Sequence, residues 1–401
     1  MGGAFTARVD DSSSVFYNPA AMAFSLGIMI KINLFNPNMT MKAEYPGIPT
    51  SFQSDVGNIQ GSAFISWNIK ERIAFGIGVF FPHSMETKWH FSWSVRYLSL
   101  RSVRSKLNTL YIRPTVAVKI SKHLSIGAGM DLISSRMNWN YDRIFTFQEP
   151  GFEDGLAANS DSKLSAKGIG YVLSALIRIS DRLQLGGRYQ PKVKLDFEGS
   201  HNFVFEKWIN IRGHLQGTTS SFTIPQEYII GGLYSFGNLT FQVDYQRIGM
   251  GEIKEWEFNL GPEFYDDIED QYGSRPDLIR QGVDLYMKDI SRIMFGVEYC
   301  FKNSIAIRAG YAYQKSAVDS QMVHPVFPDL DTNILSFGIG YDGPTFSVWD
   351  TFEKLGGISL DAFFQYGFSR KCTSALPEFP ATYKANQWVV GIGLGITLGS
   401  S

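Results

Sequence analysis

Ionisable side chains recur on the less apolar face of extended, alternating segments: Arg113, Asp131, Arg178, Arg188, Glu227, Asp244, Arg292, Glu298, Arg308 and Asp361. A guanidinium in such a place offers two parallel N–H donors to a carboxylate. Arg113, Arg188 and Arg308 are therefore candidate partners for an acidic ligand; the alternative is that charges of both signs on one face pair with each other. Other chemistry finds no footing. His83, His90, His123, His201, His214 and His324 lack zinc-ligand spacing. Ser12 to Ser14 are a polar run without the base and orienting group that a nucleophile needs. No catalytic residue, no metal and no cofactor is expected, and the reading is that of a protein that is not an enzyme.

The elements that hold these charges are strands. In NQWVVGIGLGITL, Trp388, Val390, Ile392, Leu394, Ile396 and Leu398 share one face, while Gln387, Val389, Gly391, Gly393, Gly395 and Thr397 share the other. RIAFGIGVFF and HLSIGAGMDL repeat the pattern: Leu124, Ile126, Ala128, Met130 and Leu132 oppose Ser125, Gly127, Gly129 and Asp131. Period two is the signature of a strand with one oily side. A soluble sandwich would show the same alternation with the oily side turned inward.

Composition narrows the class. In 401 residues, Gly 39 and aromatic 14% are high and Cys 2 is low, which fits a β-rich chain without a disulfide framework. A net charge of −1 gives no electrostatic case for nucleic acid. Lys31 interrupts the apolar run from Ala20, and no window reaches the roughly 18 apolar residues of a spanning helix. Near Met1 no basic segment precedes an apolar core, so no secretory signal is visible; this leaves a mature or shortened form, or a chain that is never exported.

Strands are predicted near 24–35, 59–69, 72–81, 109–120, 123–134, 166–179, 183–197, 223–235, 238–248, 290–301, 304–315, 332–342, 358–369 and 386–398. Short connections (NIKER, SKH, SDR, FGN, KNS) alternate with long ones near 36–58, 82–108, 135–165, 198–222 and 249–289. That parity is the mark of a transmembrane barrel, with short turns at one rim and long loops at the other. The connection 343–357 breaks it, being long where a short turn is due. Trp67, Tyr189, Tyr234, Tyr299, Tyr341, Tyr366 and Trp388 would suit interfacial girdles. Cys300 and Cys372 fall at opposite rims, too far apart for a disulfide, so two free thiols are expected.

Taken in order, GGAFTARVDDSSSVFYNPAAM, FGIGVFFPHSMETKW, RPTVAVKISKHLSIGAGMDL and GIGYVLSALIRISDRLQLGGRYQPKVKLDFEG resemble the FadL/TodX family of outer-membrane transport proteins. The resemblance implies an all-β transmembrane antiparallel barrel of about 14 strands with an N-terminal hatch: residues 1–23 as a partial hatch ending at the Asn18-Pro19-Ala20 turn, and 24–401 as the barrel with long extracellular loops. Proline fixes φ and restricts its predecessor, so the chain must turn there. Passive transport of long-chain fatty acids or aromatic hydrocarbons across the outer membrane is implied. Phe16, Asn18, Pro19 and Ala20 would serve hatch and gate, and the third strand would open sideways to release the ligand. Gly76, Gly78, Phe80 and Pro82 are its residues here; inward glycines that merely make room for the plug are the equal alternative.

The segment after Pro82 carries Met85, Trp89, Phe91, Trp93 and Leu98, an apolar load that suits either a ligand-capture loop or packing onto neighbours. The implied partners are a hydrophobic small molecule and outer-membrane lipid, with no nucleic acid and a monomeric, multi-pass chain in a Gram-negative outer membrane. Two departures stand out: Ser84 lies where family members often have glycine, and the family has signal peptide and more hatch upstream of Met1. The rival expectation is a surface-exposed structural or adhesive barrel whose loops bind a protein or phage.

Overall fold

The computed structural model describes all residues except 9–10, 26, 48–50, 91–99, 146–155, 206–211, 260–280, 325–328, 344–345, 348–354, 377–379 and 400–401. Fourteen antiparallel strands close into one barrel. They are β1 (Ile28–Glu44), β2 (Phe52–Gly57 and Gln60–Ile69), β3 (Ile73–Phe80 and Met85–His90), β4 (Leu100–Lys119), β5 (Leu124–Phe145), β6 (Leu156–Arg178) and β7 (Leu183–Gln190 and Val193–Phe205). Then follow β8 (Arg212–Ile224 and Glu227–Phe236), β9 (Leu239–Ile248 and Glu255–Asn259), β10 (Gln281–Asp284 and Ile290–Cys300), β11 (Ile305–Gln314), β12 (Thr332–Asp342), β13 (Leu355–Ser369) and β14 (Thr382–Leu398). Closure is complete because β1 pairs with β14 from Ile28↔Leu398 to Glu44↔Thr382.

The alternation sets the faces. On β14 and β5 the rows read as oily from sequence point outward, with Ile392 62% exposed and Ile126 48%. So much exposed apolar surface is stable only against hydrocarbon. Trp67, Tyr234, Tyr299, Tyr341, Tyr366 and Trp388 are also exposed on this surface, and Tyr189 stacks on Tyr228 with ring centroids 4.7 Å apart.

Several strands run far past their predicted ends, so parts of the stretches read as long loops are barrel wall. β1 continues to Glu44, β5 to Phe145, and β6 begins at Leu156. The cause is a change of filling along one face. Low on β5 the inward residues are Ser125, Gly127, Gly129 and Asp131; higher up the same parity gives Met137, Trp139 and Tyr141, all buried. These join Leu107, Leu164, Phe197 and Trp256 in an apolar core above the membrane band. The first strand starts at Ile28 rather than 24, because Pro19–Phe24 form a 3-10 helix and Gly27 turns with φ 58°. The long connection after β12 is a hairpin extended below the rim: Phe346 pairs with Gly356 and Ser347 with Leu355. Cys300 ends β10 at the short-turn rim, Cys372 follows β13 at the other, and both are free.

High on β7, His201 is fully buried with Nδ1 2.7 Å from Ser162 Oγ on β6. Burial pulls its pKa down to about 4, against the pull of Asp161. Because the ordinary value is about 6.5, an opened chain takes up a proton before the closed one does. The closed state is fully stable above about 6.5 and loses stability as pH falls from there towards 4. Amide protection factors of 159–165 and 198–204 are expected to be lower at pH 5 than at pH 7, and His201→Leu removes the difference.

Candidate functional site

Residues 1–8 and 11–25 lie inside the barrel, fixed to its wall by hydrogen bonds. Asp244 Oδ2 accepts from the backbone N–H of Phe5 and of Thr6, both at 2.9 Å, and Gly2 N donates to Ser336 Oγ at 2.7 Å. Asn18 is fully buried: its side-chain amide donates to Thr6 O (2.7 Å) and Ala175 O (3.1 Å), and its oxygen accepts from Ala20 N (3.1 Å). Pro19 takes the first helical position, where a missing N–H costs nothing. Ala20 is held at both ends, its N–H by Ser174 Oγ and its carbonyl by Ser125 Oγ. Asn18, Pro19 and Ala20 thus pin the segment against β5 and β6, and the chain leaves the lumen only after Phe24.

Phe24 sits at the short-turn end with Arg178 and Lys119 over its ring, 4.1 and 5.3 Å from the centroid. Phe16 lies deeper. Its carbonyl accepts from Arg188 Nη1 (2.6 Å) and Arg113 Nη1 (3.2 Å), and its ring packs on Phe80 at 4.9 Å. Phe80 in turn stacks on Tyr111 and Phe64.

The three arginines singled out from sequence are all committed to protein carboxylates. Arg113 grips Asp131 with two bonds (2.6 and 3.0 Å) and also reaches Gln190, while Arg188 pairs with Glu227. Arg308 bridges Glu298 and Asp361, each at 2.5 Å. Arg113 and Arg188 are buried; Arg308 is partly open and lines a cavity of about 370 Å3. A relay of alternating sign runs along it: Arg8, Glu298, Arg308, Asp361, Lys31 and Asp11. It begins and ends in the N-terminal segment and sums to zero charge. Aromatic rings, among them Phe5, Phe16, Phe35, Phe64 and Phe81, line the cavity together with small and polar residues such as Ser62, Ser336 and Gln365.

Sequence reading missed Arg8, Asp11 and Lys31 as members of this site. For Lys31 the signal was present: it takes the parity opposite to Ile30, Ile32 and Leu34, hence the inward face. Of the segment read as a capture loop, Met85 is half-buried and Trp89 is fully buried, edge-on to Tyr383 at 6.3 Å. Phe91, Trp93 and Leu98 lie outside the described residues.

The third strand carries an interruption of the described wall that meets a cavity; a second, between β6 and β7, runs from Leu173↔Tyr189 to Ser165↔Glu198. β2 and β3 are laddered from Ile69↔Ile73 to Ala63↔Val79 and no further. On its other side β3 pairs Phe80 with Tyr111 and resumes at Met85↔Leu107, so five steps of β3 match four of β4. The surplus residue, next to Pro82, pushes β3 out of line with β2. Contact resumes higher, where Lys88 N donates to Ser54 Oγ at 3.0 Å. Gly76 and Gly78 lie below the break, within the intact ladder. A Cβ on Gly76 would come within 2.7 Å of Met22 Sδ and Val15 Cγ2, and one on Gly78 within 2.9 Å of Val15 Cγ1. Their bareness makes room for the N-terminal segment. The 370 Å3 cavity reaches the break at Phe80, Phe81 and Pro82, and a second, of about 220 Å3, adjoins it at Gly57, Asn58, Gln60, Ser84 and Met85.

Comparison with known proteins accords with this architecture. The family described as outer membrane protein transport protein (OMPP1/FadL/TodX) matches residues 1–394. The long-chain fatty acid transport protein of Salmonella typhi is 20% identical over 415 residues, covering 96% of this chain and 88% of that one. Among solved structures, a Pseudomonas aeruginosa FadL homologue superposes with TM-score 0.74 at 17% identity, covering 99% of this chain and 95% of that one. The P. putida toluene transporter TodX gives TM-score 0.74 at 18% identity, with 100% and 97% covered. With a family match over nearly its whole length and the same closed barrel, the chain belongs to the OMPP1/FadL/TodX family of outer-membrane transport proteins.

Proposed function

We propose that the barrel carries hydrophobic small molecules, long-chain fatty acids or aromatic hydrocarbons, across the outer membrane, with the N-terminal segment as hatch and the break between β2 and β3 as the sideways exit. The observation that carries this reading is the break itself: the ladder stops at Ala63↔Val79 where a cavity beside the hatch meets the wall. Below it the lumen offers no apolar route, being crossed by Arg113–Asp131, Arg188–Glu227 and the segment 19–24. A molecule in the cavity would reach hydrocarbon directly, and roughly 0.8 kcal/mol per buried methylene drives it out of water. For an acidic ligand, Arg308 is the one of the three arginines named from sequence that borders the cavity, beside Arg8 and Lys31, and the relay would exchange Asp361 or Glu298 for the ligand carboxylate.

Gly61 and Phe81 would form the next outward-facing rung. With Cys300 and Cys372 replaced by serine, Gly61→Cys/Phe81→Cys is expected to transport in reduced form and to fall to the level of protein-free vesicles once cross-linked. Uptake of fatty acid or toluene that persists through the cross-link would refute a sideways exit.

A further inference from the structure

At the long-loop end some surface cations have acidic partners, Lys192 with Glu252, Arg247 with Asp289, Lys288 with Asp319 and Lys371 with Glu44, and others, such as Lys42, Lys88 and Lys384, stand apart from any carboxylate among the described residues. The short-turn rim gathers such cations in one place. Three consecutive turns there carry Lys70 and Arg72, Lys119 and Lys122, and Arg178 and Arg182, against only Glu71 and Asp181. Among the described residues, none of these six cations has a carboxylate oxygen within 4.0 Å; Lys119 and Arg178 lie over the Phe24 ring, which leaves Lys70, Arg72, Lys122 and Arg182 for the outer surface of the rim. The turns are bonded into one arc: Lys119 N donates to Arg72 O (2.8 Å), Arg178 N to His123 O (2.7 Å), and His123 Nδ1 lies 2.8 Å from Arg178 O. The next turn, Phe236–Asn238, has no charge at all and the one after it only Lys302, so the cations are concentrated on one side of the rim.

The height of the arc identifies what it meets. Trp67, Ile120 and Ile179 are more than half exposed on the outward face and lie within three residues of Lys70, Lys122 and Arg182. Unpaired cations thus begin where the hydrocarbon-facing surface ends, the level of lipid phosphates. Short turns of such barrels face the periplasm, so the leaflet concerned is the inner one. We propose that this arc is a binding site for anionic phospholipid headgroups, which place their acyl chains on the apolar wall at the foot of β3. An acidic protein would satisfy the charges but not the adjoining apolar surface. The inference rests on the outer-membrane placement and, through β3, adjoins the proposed exit without depending on it.

Native mass spectrometry of the detergent-solubilised full chain, equilibrated with equal phosphatidylglycerol and phosphatidylcholine, tests it. Retained phosphatidylglycerol is expected to exceed phosphatidylcholine on the order of tenfold, since several cations at one membrane surface attract anionic lipid cooperatively. The excess should shrink in high salt. Lys70→Gln/Lys122→Gln/Arg182→Gln should bring the two lipids close to parity, whereas Lys192→Gln/Lys288→Gln/Lys371→Gln should leave the preference intact. Equal retention by the unmodified protein, or a preference that survives the rim substitutions, overturns the proposal. So does tight binding of polyglutamate with no lipid preference, which would point to a protein partner. Hydrophobe uptake by the same preparations separates the two readings: lost uptake with lipid preference intact strikes the transport reading alone, and the converse strikes this one alone.

Discussion

Asp131→Ala is expected to destabilise the folded barrel by about 3–5 kcal/mol, because it leaves the buried Arg113 guanidinium without its counter-charge. The pair is among the least exposed in the lumen, with side chains 1% and 0% accessible, and both arms of the guanidinium engage the carboxylate. Removing Asp131 would leave the guanidinium with Gln190, the Phe16 carbonyl and the face of Phe80, none of them charged. Urea unfolding in lipid micelles, followed by the heat-dependent gel shift of barrels, reads the loss. Arg113→Met/Asp131→Leu should recover a large part of it, since replacing a whole buried pair with apolar side chains is often near neutral. That double variant nonetheless loses a donor to Phe16, so its N-terminal segment should be easier to cleave by protease. A single variant as stable as the unmodified protein would mean that water reaches this pair.

What the sequence made legible was whatever depends on parity. Alternation put Ile126 and Ile392 on one face and Asp131 and Asp244 on the other, because a strand admits two faces and a slip of one residue exchanges them; the parity of short and long connections then turned the oily face towards lipid. Lengths were poorly legible, since nothing local distinguishes wall from loop once the inward face turns apolar, as it does between Asp131 and Met137 on β5. The arginines could be named but not their partners. Arg308 faces Glu298 directly across the β10–β11 hairpin, but it meets Asp361 over the intervening β12, at a register that needs both pairings to be known, and Arg8 reaches Glu298 from a segment without periodicity. The break at β3 left one mark, Pro82, and the surplus residue beside it becomes visible only when rungs are counted on both sides.

Gly186→Leu is expected to free the N-terminal segment while leaving the barrel closed. Gly186 lies on the inward face of β7; a Cβ there would run into the Thr6 carbonyl and come within 2.9 Å of Asn18 Nδ2. The obstacle is backbone, which cannot swing aside as a flexible side chain would. Displacing this contact undoes the bonds that depend on it, Asn18 to Thr6 O and to Ala175 O, then Ala20 to Ser174 and Ser125. At roughly 1 kcal/mol each these bonds sum to about 4 kcal/mol, enough to shift the segment from nearly always docked to frequently undocked. The strand itself is spared, because its rungs to β6 and β8 use backbone alone. Liposome swelling should then report a permeability to small sugars that the unmodified protein lacks, and protease should cleave residues 1–25, with the heat-dependent gel shift unchanged. Gly187→Leu is the control one residue along: its side chain would point to lipid, with only Ile229 O nearby at 3.8 Å, and permeability should stay at baseline. Equal leakage from both variants would place the fault in the wall and not in the N-terminal segment, and a tight Gly186→Leu barrel would show that this segment is not what closes the lumen.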